Sequence, residues 1–249
     1  MPLEILPAID ISKGQAVRLR QGDFETVLKV AEDPVRVARK FQEAGATRLH
    51  IVDLDGAKMG SPQNLPVIRE MIRKLSIPVQ LGGGLRSAEL IDRVFRAASG
   101  IDRVIVGTTA ASADDALMLD ILHRYGDKIV VGADTKAGYI ATQGWTERTT
   151  ETAAEFGGRL VAMGARRFLF TDIARDGMLE GVNLEATRAF ALAVGVPVLA
   201  SGGVGGIEDI QKLAAPDAQQ SGIEGVIIGK ALYAGRLTLE DALRIAAGG

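Results

Sequence analysis

Short apolar runs alternate with longer stretches of helical periodicity along this chain. Each run is rich in Val, Ile or Leu and has few polar residues, as expected for strands that are buried on both faces of a parallel sheet. The eight runs are Glu4–Asp10, Arg48–Asp53, Pro78–Gly82, Arg103–Gly107, Ile129–Asp134, Phe168–Asp172, Pro197–Ser201 and Gly225–Gly229. This pattern predicts eight βα units and an α/β protein.

The segments between the runs carry signals for the start and the end of a helix. In Asp33–Gly45, Asp33 can cap the amino terminus, Pro34 suits the first turn, and Gly45 suits the carboxyl end. The segment Ser112–Gly126 has the same punctuation. Eight βα units in 249 residues match a (β/α)8 TIM barrel, whose sites lie at the carboxyl ends of the strands. A doubly wound open sheet is the structural alternative, although it would more often use about five to seven strands.

The chain also repeats itself at long range. Asp10 matches Asp134, Gly14 matches Gly138, and three longer pairs of segments align: Ala44–Asn64 with Met163–Asn183, Ile77–Leu85 with Val196–Val204, and Ile101–Thr108 with Ile223–Lys230. All βα units resemble one another to some extent, but matched Asp, Gly, Pro and Asn positions favour a true repeat. We therefore expect one TIM-barrel domain, residues 1–249, built from two similar half-barrels at about 1–124 and 125–249.

Composition narrows the classes of function. The formal net charge is −2, so there is no general electrostatic case for nucleic-acid binding. Cysteine is absent, which excludes disulfides, thiolate metal sites and a cysteine nucleophile. The first ten residues do not resemble a signal peptide, and no apolar run approaches the length of a membrane span. We expect a soluble cytoplasmic protein, monomeric, without membrane or nucleic-acid partners.

Glycine-containing turns follow four of the predicted strands, in two matched pairs. Such turns let backbone N–H groups approach an anion closely, and the helix that follows adds its positive end. The turns after the last two strands lie where TIM barrels often bind phosphate. The candidate phosphate-binding residues are Gly83, Gly84, Gly107 and Thr108 in the first half, and Gly202, Gly203, Gly229 and Lys230 in the second. Simple tight turns are the alternative, but two matched sets predict a substrate with a phosphate at each end.

Two aspartates end the first and fifth predicted strands, which lie opposite each other in an eight-stranded ring. Asp10 and Asp134 should therefore face each other across the barrel mouth. Two carboxyl groups around a substrate suit general acid–base catalysis, in which one donates a proton and the other accepts one. The acid would need burial or a nearby negative charge to stay protonated at neutral pH. Capping of the following loop is the alternative for each aspartate alone.

Other residues near strand ends are weaker candidates for substrate binding. They are Arg18, His50, Trp145, Thr171 and Asp176. Each also has an ordinary structural reading: an exposed loop arginine, a core histidine, a hydrophobic loop anchor, or part of a turn. Lys230 could form a Schiff base, but its match to Thr108 in the repeat favours a phosphate role. No His, Asp or Glu spacing in the sequence suggests a metal site, so neither a metal nor a cofactor is expected.

Several motifs together resemble the ProFAR isomerases of histidine biosynthesis over essentially the whole chain. These motifs are PAIDISKGQAVRLRQGDF, HIVDLDGAKMGSPQN, GGGLRS, ATQGW, FTDIARDGML and SGGVGG…GVIIGKALYAG. The resemblance implies an Amadori rearrangement of an aminoaldose ribonucleotide with two phosphates. By the same resemblance, Asp10 is the proton acceptor and Asp134 the proton donor. Trp145 would pack on the substrate, while Thr171 and Asp176 would support the site.

Three other functions remain open at this stage. The related cyclase of the same pathway shares the fold and the aspartate pair, but it usually has a cysteine beside its first aspartate and a lysine where this chain has VRL. An isomerase that also acts on phosphoribosylanthranilate would share all of these motifs. A phosphosugar-binding barrel without catalysis is the non-enzyme alternative.

Overall fold

Twelve strands form one sheet in the described part of the chain, which in this computed structural model comprises residues 2–20, 23–31, 33–112, 115–142, 145 and 147–248. In chain order the strands are β1 (Glu4–Ser12), β2 (Gln15–Arg20), β3 (Asp23–Ala31), β4 (Leu49–Asp53), β5 (Val79–Gly82), β6 (Ile101–Val106), β7 (Ile129–Lys136), β8 (Tyr139–Thr142), β9 (Glu147–Thr152), β10 (Phe168–Asp172), β11 (Val198–Ser201) and β12 (Ile223–Ile228).

Eight of these strands close into a parallel barrel. The ring runs β1-β4-β5-β6-β7-β10-β11-β12, and parallel pairing of β12 with β1 closes it. These eight strands coincide with the eight predicted runs to within a few residues at each end. The predicted (β/α)8 barrel is therefore confirmed, and the open doubly wound sheet is excluded because the ring has no free edge.

Helices follow the barrel strands and cover the outside of the ring. They are α1 (Pro34–Glu43), α2 (Leu54–Met59), α3 (Leu65–Arg73), α4 (Ala88–Ala97), α5 (Thr108–Ser112), α6 (Asp115–Tyr125), α7 (Ala153–Ala162), α8 (Leu184–Val194), α9 (Ile207–Ala214), α10 (Pro216–Gln220), α11 (Lys230–Tyr233) and α12 (Leu239–Ala246), with a 3-10 turn at Gly126–Lys128.

Helix α1 begins and ends where its sequence signals indicate. The Asp33 side chain accepts hydrogen bonds from the backbone N–H groups of Val35 and Arg36, and Pro34 occupies the first helical position. Gly45, just beyond the helix, has a φ of +100°, which a residue with a side chain rarely adopts. In the second predicted segment, α6 covers Asp115–Tyr125, while residues 113 and 114 lie outside the described part.

Two antiparallel hairpins extend barrel strands beyond the ring, and neither was predicted. β2 and β3 continue from β1, and β8 and β9 continue from β7. Each hairpin starts with a two-residue turn in which both residues have positive φ, +49° and +74° at Lys13 and Gly14, and +52° and +82° at Ala137 and Gly138. The matched glycines of the repeat thus occupy equivalent turns. The division into half-barrels itself stays a prediction.

The apolar core has two layers. Most buried aliphatic residues lie between the strands and the helices, for example Ile9, Ile51 and Leu81. A smaller cluster fills the inside of the barrel, and it consists of Leu6, Ala8, Val130, Leu169, Leu199 and Ile227. This inner layer is apolar except beside β4 and β5, where His50 and Gln80 are buried instead.

Charged side chains gather at the amino-terminal end of the barrel. Glu4 accepts a hydrogen bond from Arg48 at 2.8 Å and pairs with Arg103 at 3.5 Å, and Arg167 pairs with Glu224. Desolvation lowers the pKa of Arg103, and the neighbouring charges of Arg167 and Arg48 lower it further. These ion pairs occupy the end of the barrel opposite to the strand ends that carry the predicted site.

Candidate active site

A cavity of about 760 Å³ opens at the carboxyl ends of the barrel strands. Asp10 and Asp134 both line it, on β1 and β7. Three strands separate β1 from β7 in either direction around the ring, so the two carboxyl groups approach the cavity from opposite sides. The predicted placement of the aspartate pair is therefore what the structure shows.

Fourteen of the fifteen residues that the sequence singled out line this one cavity. They are Asp10, His50, Gly83, Gly84, Gly107, Thr108, Asp134, Trp145, Thr171, Asp176, Gly202, Gly203, Gly229 and Lys230. The side chain of the remaining candidate, Arg18, lies outside the described part of the chain. The structure thus brings these candidates together around one cavity.

Asp134 lies in an environment that favours a protonated carboxyl group. Burial raises its pKa above the ordinary value, and this outweighs the hydrogen bonds from Trp145 and Thr171, which act to lower it. The Trp145 indole N–H donates to Asp134 Oδ2 at 2.8 Å. Thr171 is the direct neighbour of Asp134 in the parallel pairing of β10 with β7. This contact between Trp145 and Asp134 could not be predicted from the sequence, because it depends on where the β8–β9 hairpin places the indole ring.

Trp145 also has an unusual backbone. Its φ of +75° is rare for a residue with a large side chain, and such conformations persist where surrounding contacts fix them. The hydrogen bond to Asp134 is one such contact. Since Trp145 also lines the cavity, its ring borders the space where a substrate would lie.

The turn at the end of β1, just beyond Asp10, is held by polar contacts from the segment between β4 and α3. Asp55 accepts hydrogen bonds from the Ser12 hydroxyl at 3.0 Å and from the Lys13 N–H, and Asn64 Oδ1 accepts the Gly14 N–H at 2.9 Å. Burial acts to raise the pKa of Asp55, but hydrogen bonds from Asn64, Lys13 and Ser12 lower it below its ordinary value. These contacts fix the turn that follows the Asp10 strand.

The equivalent asparagine in the second half shares one contact and differs in another. Asn183 donates to Asp172 at 2.7 Å, as Asn64 does to the matched Asp53, but its Oδ1 accepts the Ala186 N–H at 3.2 Å and caps α8. Asp55 is matched in the repeat by Ala174, which has no carboxylate to bind the Ala137–Gly138 turn. The two halves therefore support their aspartates differently.

The glycine turns have a structural requirement of their own. A side chain at Gly83 would overlap the backbone of Asp53, and one at Gly203 would lie 2.5 Å from the carbonyl oxygen of Gly181. Both residues have positive φ, +111° and +91°. Gly107 differs, because a Cβ there would meet only Asp134 Oδ2, at 4.0 Å. The fold thus requires glycine at positions 83 and 203 but not at position 107.

Cationic side chains lie on both sides of the cavity. Lys230 follows Gly229 and donates to the carbonyl oxygen of Gly177 at 2.6 Å. Lys58 and Arg86 line the cavity near Gly83 and Gly84, and neither was predicted from the sequence. Arg86 comes two residues after the Gly82–Gly84 run, so a cation beside a predicted phosphate turn was a usable signal.

Comparison with known proteins identifies the family. The sequence model described as "Histidine biosynthesis protein" matches residues 4–238. The chain belongs to this histidine biosynthesis family. A relative from Chloroflexus aggregans is 48% identical over 244 residues, covering 98% of each chain. Relatives from Synechococcus sp. and Moorella thermoacetica are 47% and 44% identical, covering 99% and 98% of this chain and 94% and 99% of theirs.

These three relatives of the histidine biosynthesis family carry the same name. Each is called a 1-(5-phosphoribosyl)-5-((5-phosphoribosylamino)methylideneamino) imidazole-4-carboxamide isomerase. Within the described residues, no helix is long and apolar enough to cross a membrane, and no group of three or more His, Asp or Glu side chains is arranged to hold a metal ion.

The burial of Asp134 predicts a pH-dependent effect on stability. A carboxyl group whose pKa is raised by folding contributes stability at pH values below its unfolded pKa, and this contribution is lost as pH rises through the folded pKa. Asp134→Asn removes the ionisable group. The melting temperature of the variant minus that of wild type should therefore increase as the pH rises from about 4, near the ordinary carboxyl pKa, to about 8. Thermal unfolding of both proteins across this range measures the difference. A difference that stays constant with pH would contradict a raised pKa at Asp134.

Proposed function

We propose that this chain catalyses the isomerisation for which its relatives are named, the Amadori rearrangement of the aminoaldose ProFAR to its aminoketose in histidine biosynthesis. The observation that carries the proposal is the pair Asp10 and Asp134 on opposite sides of one cavity, with a glycine turn and a cationic side chain on each side. Two acids suit a proton-transfer reaction, and two anion-binding turns suit a substrate with a phosphate at each end.

Ring opening is the first step, and it needs an acid. Asp134 donates its proton to the ribose ring oxygen, the bond from that oxygen to C1′ breaks, and the nitrogen lone pair forms a protonated Schiff base at C1′. The raised pKa of Asp134, caused by burial, supports this role because it keeps a proton available nearer to neutral pH. The Trp145 N–H and the Thr171 hydroxyl then stabilise the carboxylate that remains.

Proton abstraction from the neighbouring carbon is the second step, and it needs a base. Asp10 takes the proton from C2′, and the electrons of that C–H bond form an enol conjugated with the nitrogen. Asp10 then delivers its proton to C1′, while the Asp134 carboxylate takes the enol hydroxyl proton, and the ketone forms. The substrate and the product are isomers, so both carboxyl groups regain their starting protonation states. The reaction moves protons only and requires no redox cofactor.

The phosphates would be held at the two matched turns. On one side Gly83, Gly84, Gly107 and Thr108 supply backbone N–H groups next to Arg86; on the other, Gly202, Gly203 and Gly229 do so next to Lys230. The amino termini of α4 and α9 begin just beyond these turns and add a positive end. Holding both ends positions the ribose between the two carboxyl groups. Trp145 would border the substrate, and Arg18, His50 and Asp176 would contact its polar groups.

Gly107 offers a test of phosphate binding that spares the fold. Gly107→Ala should fold normally, because only Asp134 Oδ2 lies near the added methyl group. If a phosphate approaches the backbone there, the methyl group should raise KM by about ten- to a hundredfold, the value of one hydrogen bond to a charged group. Steady-state kinetics measures this. Gly158→Ala is the matched control, since an added Cβ there meets no atom within 4 Å. An unchanged KM in Gly107→Ala would mean that a phosphate does not bind at this turn.

The decisive experiment is an assay of the purified protein with three separate substrates. Turnover of ProFAR to the ketose supports the proposal. Turnover of phosphoribosylanthranilate in addition would extend the substrate range, and consumption of the ketose with ammonia would indicate the cyclase instead. Tight binding of ProFAR without turnover of any of the three substrates would indicate a phosphosugar-binding protein that is not an enzyme.

We also propose that the enzyme works in the cytoplasm as a monomer. A substrate with two phosphates does not cross a lipid bilayer unaided, so it is consumed in the compartment where it is made. All fourteen described candidate residues line a cavity within one chain, and a second copy is not needed to complete it.

A further inference from the structure

A buried polar pair lies beneath the proposed active site. His50 on β4 and Gln80 on β5 are direct neighbours in the parallel pairing, and Gln80 Nε2 lies 2.9 Å from His50 Nδ1. His50 is 6% exposed, and Gln80 is 0% exposed. His50 lines the cavity, whereas Gln80 does not. Within the described part of the chain, His50 thus links Gln80 to the cavity.

The internal repeat shows that the barrel does not need this pair for packing. The positions equivalent to His50 and Gln80 in the second half are Leu169 and Leu199, and both leucines belong to the apolar cluster inside the barrel. Burying polar side chains costs free energy unless their hydrogen bonds are satisfied. Gln80 Oε1 has no hydrogen-bond partner among the described residues, so this half of the barrel retains a costly polar group where the other half uses leucine. Such a cost is expected where a group serves function.

With the Gln80 amide oriented as in the structure, the contact assigns the proton of a neutral His50 to Nε2. An amide N–H that donates to Nδ1 requires Nδ1 to be an acceptor, and a neutral imidazole then has its hydrogen on Nε2. The opposite amide orientation would leave both buried N–H groups of Gln80 without this acceptor, whereas the present one leaves one N–H group and the carbonyl oxygen, and a buried N–H group is left unpaired more rarely than a carbonyl oxygen. His50 lines the cavity, and Nε2 is the ring nitrogen that does not face Gln80.

The strand register places His50 next to the proposed base. His50 pairs with Ala8 and Val52 pairs with Asp10, so His50 lies one inward-facing position deeper than Asp10 on the neighbouring strand. A neutral N–H donor can bind a sugar oxygen there without adding a positive charge. A positive charge close to Asp10 would stabilise its carboxylate and weaken it as a base.

We infer that Gln80 is a positioning residue that holds His50 as its neutral Nε2–H tautomer, so that His50 donates a hydrogen bond to an oxygen of the substrate beside the carbon from which Asp10 takes a proton. The tautomer is independent of which substrate is turned over; only the kinetic consequence rests on the proposed isomerase function.

Nitrogen-15 NMR tests the tautomer directly, because the chain has only two histidines. His123 is exposed on α6, so His123→Gln leaves a protein in which every imidazole signal comes from His50. We expect Nδ1 to show the shift of an unprotonated nitrogen and Nε2 that of a protonated one at neutral pH. A protonated Nδ1 with an unprotonated Nε2 would overturn the inference, and so would an imidazolium.

A double-mutant cycle tests whether Gln80 acts through His50. Gln80→Leu in the wild-type background should lower kcat/KM about tenfold, the value of one hydrogen bond between neutral groups, and should leave His50 in a mixture of tautomers. In a His50→Leu background the same change should cost almost nothing, because the residue that Gln80 positions is already gone.

The double variant also controls for folding. His50→Leu/Gln80→Leu copies the leucine pair of the second half, so its melting temperature should equal or exceed that of wild type. Equal losses from Gln80→Leu in both backgrounds would show that Gln80 acts independently of His50 and would overturn the inference. If wild type turns over none of the three substrates, the proposed function fails, while the NMR result still decides the tautomer.

Discussion

Asp10→Asn is expected to lower turnover of ProFAR by at least about a hundredfold, the low end for removal of an acid–base group, without loss of the fold. Asparagine matches aspartate in size, so the strand pairing of Asp10 with Val52 and Val17 should persist. The amide nitrogen and oxygen cannot take a proton from carbon, so the enol should not form at a useful rate. Steady-state kinetics, with circular dichroism and thermal unfolding to check the fold, measures the effect.

A surface aspartate provides the matched control for this change. Asp120 pairs with Arg124 on the outer face of α6, and Asp120→Asn removes one carboxylate far from the cavity. This variant should keep wild-type turnover. Near-normal turnover in a folded Asp10→Asn protein would mean that Asp10 only caps its loop, and the proposed mechanism would then lack its base.

The barrel strands were predictable because they are buried on both faces. Such strands appear in the sequence as continuous apolar runs. The strand that ends at Asp53, for example, could be predicted from its own residues, without knowing which strands pair with it. The hairpins were missed because their strands carry no such run; Glu147 and Thr150 in β9, for example, are exposed. Lys13–Gly14 was a usable signal for a two-residue turn, but one turn does not specify where its two strands lie.

The candidate site was predictable as far as strand ends could reveal it. The carboxyl ends of the parallel strands all lie at one rim of the barrel, so residues that end different strands must surround the same space. Asp10 and Asp134 both line the cavity at this rim. Contacts that depend on strand register or on a loop path were not predictable. The hydrogen bond from Trp145 to Asp134 and the pairing of His50 with Gln80 belong to this class. A glutamine within a run that is otherwise apolar was nevertheless a usable signal for a functional residue at position 80.

Glycine at a predicted phosphate turn has two physical explanations that the sequence alone cannot separate. The space that a side chain would need is filled by backbone at both positions: that of Asp53 beside Gly83, and that of Gly181 beside Gly203. Substitution there would disturb the fold before it disturbed a ligand, so it cannot test phosphate binding. At Gly107 the corresponding space is open toward the cavity, which makes this position the informative one.

The two aspartates occupy equivalent strands of the repeat, but different groups surround them. Burial raises the pKa of Asp134, which suits a group that must hold a proton before the reaction. Asp10 and Asp134 are both partly exposed at the cavity wall, but the turn that follows the Asp10 strand is fixed by Asp55 and Asn64. A fixed base and a protonated acid on opposite sides of one cavity would let a symmetric scaffold perform an asymmetric reaction.

This division of roles predicts a difference between the two asparagine variants that overall turnover does not reveal. Asp134→Asn should lower turnover of ProFAR by about a hundredfold or more, because the closed ribose ring opens too slowly without its acid. The ketose product, however, is already open. Removal of a proton from its C1′, the carbon next to the carbonyl group, needs the base but not the ring-opening acid.

Hydrogen exchange at that carbon therefore separates the two roles. Each variant is incubated with the ketose product in deuterated water, and NMR follows deuterium entering C1′, with an enzyme-free sample as the background and Asp120→Asn as the protein control. Asp134→Asn should retain part of the wild-type exchange, because Asp10 can still form the enol and return a solvent deuteron. Asp10→Asn should fall to nearly the background rate, even though its acid is intact. The opposite result would exchange the two roles, and equal exchange in both variants would mean that neither aspartate is the sole base, since a proton can leave C1′ only to a group that can accept it.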